Sequence, residues 1–222
     1  MTVKPQLRVV LTDVNPKVVQ AWLSAFADTP DVEISKGSIL NQHVDAWVSP
    51  TNSHGSMDGG VDAVVKRHLG AGIQLRVQKA IRAGFGDALP VGSAVCVPSG
   101  AANPKFLISS PTMTHSVENV RETLNVALAC AAAFQAIHMQ NARQPGSIAS
   151  VALVGMGAAT GKVPPQVCAN LMWAAYTLFQ EHAFDDYEEL RATVTAQLTD
   201  IETRPQTERV RITPPARSRS RR

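Results

Sequence analysis

The stretch VDAWVSPTNSHGSMDGGVD, residues 44–62, decides how the rest of the chain is interpreted. Val44–Ser49 is an apolar run that predicts a buried strand. A polar, Gly-rich loop follows over Thr51–Gly60, and Val61–Leu69 then predicts a short helix that Gly70 ends. A strand, a glycine-rich loop and a helix in this order are typical of the edge at which α/β sheets bind ligands.

A second Gly-rich loop, Gly155–Lys162, repeats this arrangement. It follows a strand predicted over Ile148–Val154 and precedes a helix that begins at Pro164-Pro165 and runs to about His182. In a parallel sheet both loops leave the carboxyl ends of strands. Glycine lets the backbone approach a ligand, and helix N-termini attract anions, so we expect the two loops to hold a diphosphate from opposite sides.

The remaining sequence alternates between strand and helix patterns. Further strands are predicted over Leu7–Thr12, Val32–Ser35, Ser93–Val97 and Phe106–Ser110, and further helices over Pro16–Phe26, Ile73–Arg82 and Glu118–Met139. This alternation predicts an α/β fold with a mostly parallel sheet that helices cover on both faces.

Composition limits the class of protein. The chain has 222 residues, of which 45% are hydrophobic and 18% charged, which suits one sizeable globular domain. No apolar run approaches the roughly 20 residues that a membrane helix needs, and the first residues lack the apolar segment of a secretory signal. A cytoplasmic protein without membrane contact is expected. Three scattered Cys and six scattered His predict packed thiols and neither a metal site nor a cofactor.

The net charge of +3 divides unevenly along the chain. Residues 203–222 hold seven Arg and one Glu and are predicted to be disordered, whereas residues 1–202 carry 14 basic and 17 acidic residues. Nucleic acid or an acidic partner could therefore bind only through this tail, although a tail that is simply solvated is the favoured interpretation. Residues 184–202 predict a C-terminal helical extension, with an acidic helix over Asp185–Ile201, and residues 1–183 form the main domain.

Two commoner phosphate-binding motifs do not fit the second loop. Gly155–Gly161 reads GxGxxxG, one residue longer than the dinucleotide fingerprint. Gly161-Lys162 resembles the end of a P-loop, but Met156 stands at the required first glycine and Val163 replaces the Ser or Thr that holds magnesium. Nicotinamide binding and ATP hydrolysis are therefore not supported.

The two loops together resemble the macro domain family. Val44–Ser53 followed by Asp58–Asp62 resembles the family's "DAIVNAAN" strand end and "GGGV" phosphate loop. The pattern is most similar to a divergent subgroup, sometimes labelled phage-tail-associated, that reads "SPANSFG-x-MDGGID … LPVG-A-x-x-VPTG … PTM … GLGTGVG-x-MP". Its counterparts here are Ser49–Asp62, Leu89–Gly100, Pro111–Met113 and Gly155–Pro164, within a resemblance that covers about residues 7–180.

The resemblance implies a three-layer α/β/α fold, with a mostly parallel mixed sheet, that binds ADP-ribose, an ADP-ribosylated protein or a related nucleotide metabolite. Asn52 would contact the distal ribose, and the alternative is an Asn that caps its own loop. Gly59, Gly60 and Val61 would present N–H groups to the pyrophosphate, and the alternative is an ordinary tight turn. The second loop would wrap the phosphates and the distal ribose through Gly155, Gly157, Ala158, Ala159, Thr160 and Gly161.

Asp62 is the implied catalytic partner of Asn52, because it follows Asn52 by ten positions, the spacing of macro domains that hydrolyse ADP-ribosyl linkages. There the matching carboxylate helps to position or activate a water against the distal ribose. The alternative is that Asp62 has no catalytic role and lies there because the helix dipole favours an acidic residue in the first turn of a helix. Lys162 could add positive charge, and His54 could reach substrate, although a solvated surface position is the favoured explanation for both.

Several residues depart from the family pattern. In Gly37-Ser38-Ile39, which falls where adenine binds, Ser38 replaces the Asp that reads the adenine amino group. Ala158 and Ala159 replace a Thr-Gly pair and would be strained at a positive φ, and Lys66 stands where hydrolytic members often have His. Three hypotheses follow: an ADP-ribose-binding hydrolase, a catalytically inactive reader of ADP-ribose, and a phage-associated structural or interaction module that retains only the fold.

Overall fold

One six-stranded sheet organises the computed structural model, which describes residues 7–182 and 184–202. The strands are β1 (Arg8–Asp13), β2 (Val32–Lys36), β3 (Ala46–Ser49), β4 (Val95–Pro98), β5 (Phe106–Ser109) and β6 (Ser150–Leu153). Their order across the sheet is β2-β1-β6-β3-β5-β4, and only the β4–β5 pair is antiparallel. The predicted mostly parallel mixed sheet is confirmed.

Within the described residues, six α-helices cover the two faces of this sheet. They are α1 (Pro16–Ala25), α2 (Gly60–Leu69), α3 (Gly72–Phe85), α4 (Asn125–Arg143), α5 (Pro165–Glu181) and α6 (Tyr187–Glu202). Alternate residues of β1 face opposite sides, so Val9 and Leu11 join one core cluster and Val10 the other. Helices α1, α4, α5 and α6 pack in the first cluster, and α2 and α3 in the second, which gives three layers.

The helix predicted over Glu118–Met139 is wrong at its beginning, because α4 starts only at Asn125. The Glu118 carboxylate accepts hydrogen bonds from the backbone N–H groups of Thr114 and His115, and the Thr123 hydroxyl donates to the Val120 carbonyl. These local bonds compete with helix formation. The segment 114–124 instead runs along the carboxyl edge of the sheet.

The C-terminal helix α6, predicted over Asp185–Ile201, is confirmed and packs against α4. The Tyr187 hydroxyl donates to the Ala94 carbonyl at 3.0 Å, and the Arg191 guanidinium donates to the Ser93 hydroxyl at 2.7 Å. These bonds join α6 to the segment that leads into β4. The tail predicted to be disordered, residues 203–222, lies outside the described residues.

The cysteines occupy packed positions. Cys130 and Cys168 are buried and unbonded to other cysteines, and burial raises the pKa of Cys130 to about 12. Across the described ranges, no cluster of three or more His, Cys, Asp or Glu has the arrangement of a metal site. No helix within the same ranges is both long and apolar enough to span a membrane.

Candidate functional site

A cavity of about 570 Å³ lies at the carboxyl ends of β1, β6 and β3, which are neighbours in the sheet. Both Gly-rich loops line it, because they leave the adjacent strands β3 and β6 at the same edge. The sequence-predicted residues that line it are Gly37, Ser38, Ile39, Asn52, Gly59, Gly60, Val61, Asp62, Gly155, Gly157, Ala159, Thr160 and Gly161. Its volume is in the range of small-molecule sites.

Ala158 is the one predicted ligand-binding residue that the structure does not bring to the cavity wall. Its side chain packs against the hydrophobic core instead. The strain expected at Ala158 and Ala159 is also absent, because the loop takes its positive φ angles at Gly157 (73°) and Lys162 (59°). The loop therefore tolerates both alanines and turns one of them inward.

The two loops face each other across the cavity. A Cβ on Gly60, whose φ is +54°, would lie 3.7 Å from the Thr160 hydroxyl oxygen. Helix α2 begins at this point, and its capping residue, Gly59, has no side chain to accept the first N–H groups of the helix. The start of α2 can therefore offer those N–H groups to an anion between the loops.

Asp62, in the first turn of α2, places its carboxyl group at the cavity wall. The buried Ser49 hydroxyl, at the end of β3, donates to Asp62 Oδ1. Asp62 is half-buried, and the protein atoms packed around its carboxyl group keep most water away from it although it borders the cavity. This desolvation raises the pKa of Asp62 to about 7, against the lowering effect of the Ser49 hydrogen bond. Near neutral pH the carboxyl can thus hold or release a proton.

Three carboxyl groups line the cavity, those of Asp13, Asp58 and Asp62, and no Lys, Arg or His among the described residues does so. Asp58 pairs with Lys66 at 2.7 Å, and Asp13 accepts backbone N–H groups from Asn15 (2.8 Å) and Gly155 (3.0 Å). These partners offset the charge of two carboxylates. An anionic ligand would therefore be bound by backbone N–H groups rather than by basic side chains.

Neither Lys162, the candidate for positive charge, nor Lys66, which departs from the family pattern, lines this cavity. Lys162 is exposed to solvent, and Lys66 is held by Asp58 and by the Gln74 side-chain oxygen at 2.8 Å. His54 also lies outside the lining, where its ring stacks on that of His115 with centroids 5.7 Å apart.

Comparison with known proteins identifies the family. The model of the Macro domain family matches residues 48–172, which is more than half of the chain. The chain belongs to the macro domain family. A macro domain-containing protein from the sno 5′ region of Streptomyces nogalater is 29% identical over 170 residues, which cover 70% of this chain and 89% of that protein. An uncharacterized protein from Aquifex aeolicus is 36% identical over 148 residues, which cover 64% of this chain and 78% of that protein.

Solved structures share the macro domain fold. The Oceanobacillus iheyensis macrodomain, solved with ADP, superimposes with a TM-score of 0.53 at 15% identity, over 74% of this chain and 90% of that one. The macrodomain of Thermus aquaticus DarG gives a TM-score of 0.52 at 21% identity, over 75% and 90%. At these identities the likeness establishes the three-layer fold of this macro domain.

Asn52 of this macro domain uses all of its hydrogen-bonding capacity within the protein. Its Oδ1 accepts from the backbone N–H groups of His54 (3.0 Å) and Ser56 (3.2 Å). Its Nδ2 donates to the Ser116 hydroxyl (3.0 Å) and to the Ser56 carbonyl (3.3 Å). An amide group has two donors and two acceptor sites, so a ligand hydroxyl can bind Asn52 only by replacing one of these partners.

Ser116 is the partner that a ligand can replace most readily. It is exposed, it lines the cavity, and it precedes Val117, a β-branched residue with φ of +68° that is 70% exposed. Such a conformation is strained for a β-branched residue.

We expect Ser116→Ala to strengthen ADP-ribose binding about two- to fivefold, because Asn52 Nδ2 is then free to donate to the ligand. Titration calorimetry measures the change, and Thr114→Ala, in the same segment, serves as the control. Weaker binding by Ser116→Ala would instead make Ser116 a ligand contact.

Apart from Gly37–Ile39, the cavity residues outside the two loops were not predicted from the sequence. Thr12, Asp13 and Val14 line the cavity from the end of β1, and Ser116 and Val117 line it from the segment before α4. The end of β1 could have been found, since every parallel strand ends at this edge. The segment before α4 could not, because its pattern resembled a helix.

Proposed function

We propose that this macro domain binds ADP-ribose or a related nucleotide metabolite and hydrolyses ADP-ribosyl linkages, with Asp62 as the base. The observation that carries the proposal is the meeting of both Gly-rich loops, Asn52 and Asp62 around one open cavity. The diphosphate would lie between the loops, bound by the first N–H groups of α2 and by the backbone of the second loop. The distal ribose would lie at Asn52 and Asp62.

Related structures support this placement. The Oceanobacillus iheyensis macrodomain has been solved with ADP and, as a glycine-to-valine variant, with ADPR. Other variants of it replace an asparagine or an aspartate by alanine. The altered asparagine, glycine and aspartate are separated by seven and three positions, as are Asn52, Gly59 and Asp62 here.

Asp62 would act on the water that attacks the distal ribose. The water oxygen forms a bond to the anomeric carbon, the bond from that carbon to the leaving group breaks, and the water proton passes to Asp62. A base must be deprotonated yet basic at the working pH, and a pKa of about 7 meets both conditions. The Ser49 hydroxyl binds Oδ1 of the carboxylate, so Oδ2 is the oxygen that would receive the proton.

Calorimetric titration with ADP-ribose, AMP and NAD tests the binding half of this proposal. We expect ADP-ribose to bind the wild type, and Asn52→Asp to bind it at least about tenfold more weakly, because the amide donor is lost. Asn52→Asp keeps the oxygen that accepts from the N–H groups of His54 and Ser56, and it loses the two bonds that Nδ2 donates to Ser116 and to the Ser56 carbonyl. Absence of heat with all three ligands, from protein shown to be folded, would remove the proposal.

A reader of ADP-ribose without turnover is the second candidate. The hydrogen bonds that occupy all of Asn52 and one oxygen of Asp62 favour it, because both groups are already engaged in the protein. A reader would bind ADP-ribose yet release none from an ADP-ribosylated protein. A time course of release from such a substrate, compared with Asp62→Asn, separates the two candidates.

A further inference from the structure

The cavity has an outer end, formed where β2 and β1 end. This outer end consists of Thr12–Val14 and Gly37–Ile39. Strands β1 and β6 lie between β2, which ends at this outer end, and β3, which ends near Asn52, so β2 and β3 are three strand spacings apart in the sheet. At about 4.8 Å per spacing the separation is roughly 14 Å. With the distal ribose at Asn52 and the diphosphate between the loops, the base lies here.

Most polar groups at the outer end are already bonded to protein. The Thr12 hydroxyl donates to the Gly37 carbonyl at 3.3 Å and accepts from the Gln42 side chain at 3.3 Å. Each oxygen of Asp13 accepts one backbone N–H group, and these bonds hold the start of α1 and the start of the second loop. Ile39 is 2% exposed and contributes apolar surface.

Ser38 is the group whose hydrogen-bonding capacity remains open. Its hydroxyl oxygen accepts from the Leu40 N–H group at 3.2 Å, and its proton is donated to no group among the described residues. A hydroxyl has one donor and two acceptor sites, so one of each remains free. The group carries no charge and can rotate, so it can donate to a keto oxygen or accept from an amino group. A carboxylate at this position could only accept.

We propose that Ser38 makes this site tolerant of the base, so that it binds nucleotides of 6-keto purines as well as those of adenine. The inference rests on the proposed function, because it takes the orientation of the nucleotide from it. The substrate class would then be purine nucleoside diphosphate sugars rather than ADP-ribose alone. Ser38 is thus a specificity-determining residue, because its neutral hydroxyl cannot make the charge-assisted hydrogen bond by which a carboxylate would select an amino group.

ADP and IDP are suitable probes, because they differ only in the amino or keto group at position 6 of the purine and in the proton that the keto form carries on N1. Titration calorimetry of the wild type should give dissociation constants within about threefold of each other. Ser38→Asp should favour ADP by at least about tenfold, because a carboxylate accepts from the amino group and repels the keto oxygen. The variant keeps an oxygen that can accept from Leu40 N–H, as Asp does at such caps. Ser38→Ala should leave the ratio near that of the wild type.

A wild type that prefers ADP by more than about tenfold would overturn the inference while leaving the proposed function intact. If Asp13→Asn then abolished that preference, base recognition would belong to Asp13. ADP-ribose is titrated in the same series, and its failure to bind would overturn the proposed function itself. Equal binding of ADP and IDP by Ser38→Asp would also overturn the inference, because it would place the base elsewhere.

Discussion

Replacement of Asp62 by asparagine is expected to lower the release of ADP-ribose from a modified protein by at least about 100-fold, the usual effect of losing a general base. Asparagine has nearly the same shape and can still accept from the Ser49 hydroxyl, so the loop and ADP-ribose affinity should change little. The wild-type rate should rise with pH through about 7, as the carboxyl loses its proton. Single-turnover release measured from pH 5 to 9 tests both expectations.

The same substitution should stabilise the fold at alkaline pH. Burial raises the pKa of Asp62 from 3.8 to about 7, so between these values the native state binds more protons than the unfolded state. Stability conferred by the protonated group is therefore complete below about pH 4 and is lost as pH rises through about 7. At 1.36 kcal/mol per pKa unit, Asp62→Asn should exceed the wild type by up to about 4 kcal/mol at pH 8.

Urea unfolding of both proteins at pH 4.5 and pH 8 measures this difference, which should fall to about 1 kcal/mol at the lower pH. Asp58→Asn is the matched control, since Asp58 lines the same cavity but is largely exposed and paired with Lys66. An equal difference at both pH values would mean that the Asp62 carboxyl is not desolvated. Undiminished release by Asp62→Asn would assign the base to another residue.

The sheet and its helices were predictable because their signals are local. Val44–Ser49 and Ile148–Val154 are apolar runs bounded by Pro or Gly, and they became β3 and β6 within a few residues. The helix predicted over Glu118–Met139 was wrong at its start, because periodicity alone does not detect side chains that form hydrogen bonds with the nearby backbone. The Glu118 carboxylate and the Thr123 hydroxyl do so, and α4 starts later as a result.

The candidate site was predictable where residues belong to the two loops, and less so where it depends on contacts between distant segments. The order of strands, which sets Asp13 beside Gly155, follows from pairing between β1 and β6 that no short pattern specifies. The raised pKa of Asp62 depends on how completely α2 and β3 enclose the carboxyl group. The bond between Asn52 and Ser116 joins residues 64 positions apart.

Replacement of Gly161 by alanine is expected to destabilise the protein by about 2–3 kcal/mol and to weaken ADP-ribose binding by at least about tenfold. A Cβ at Gly161 would lie 2.7 Å from the Gly157 carbonyl oxygen and 2.7 Å from Val120 Cγ2. Neither atom can move freely, because the Gly157 carbonyl accepts from Val163 N–H and the Gly161 carbonyl accepts from Val120 N–H. The clash must therefore displace the second loop.

Gly84→Ala is the appropriate control for this loss. Gly84 lies exposed near the end of α3, and a Cβ there would meet no atom within 4 Å. Alanine is the better helix former, so this variant should gain up to about 1 kcal/mol in urea unfolding and bind ADP-ribose as the wild type does. If Gly161→Ala matched the wild type in both measurements, the second loop could not owe its shape to the contact with Val120. Weaker binding without destabilisation would instead mean that the added methyl group meets the ligand directly.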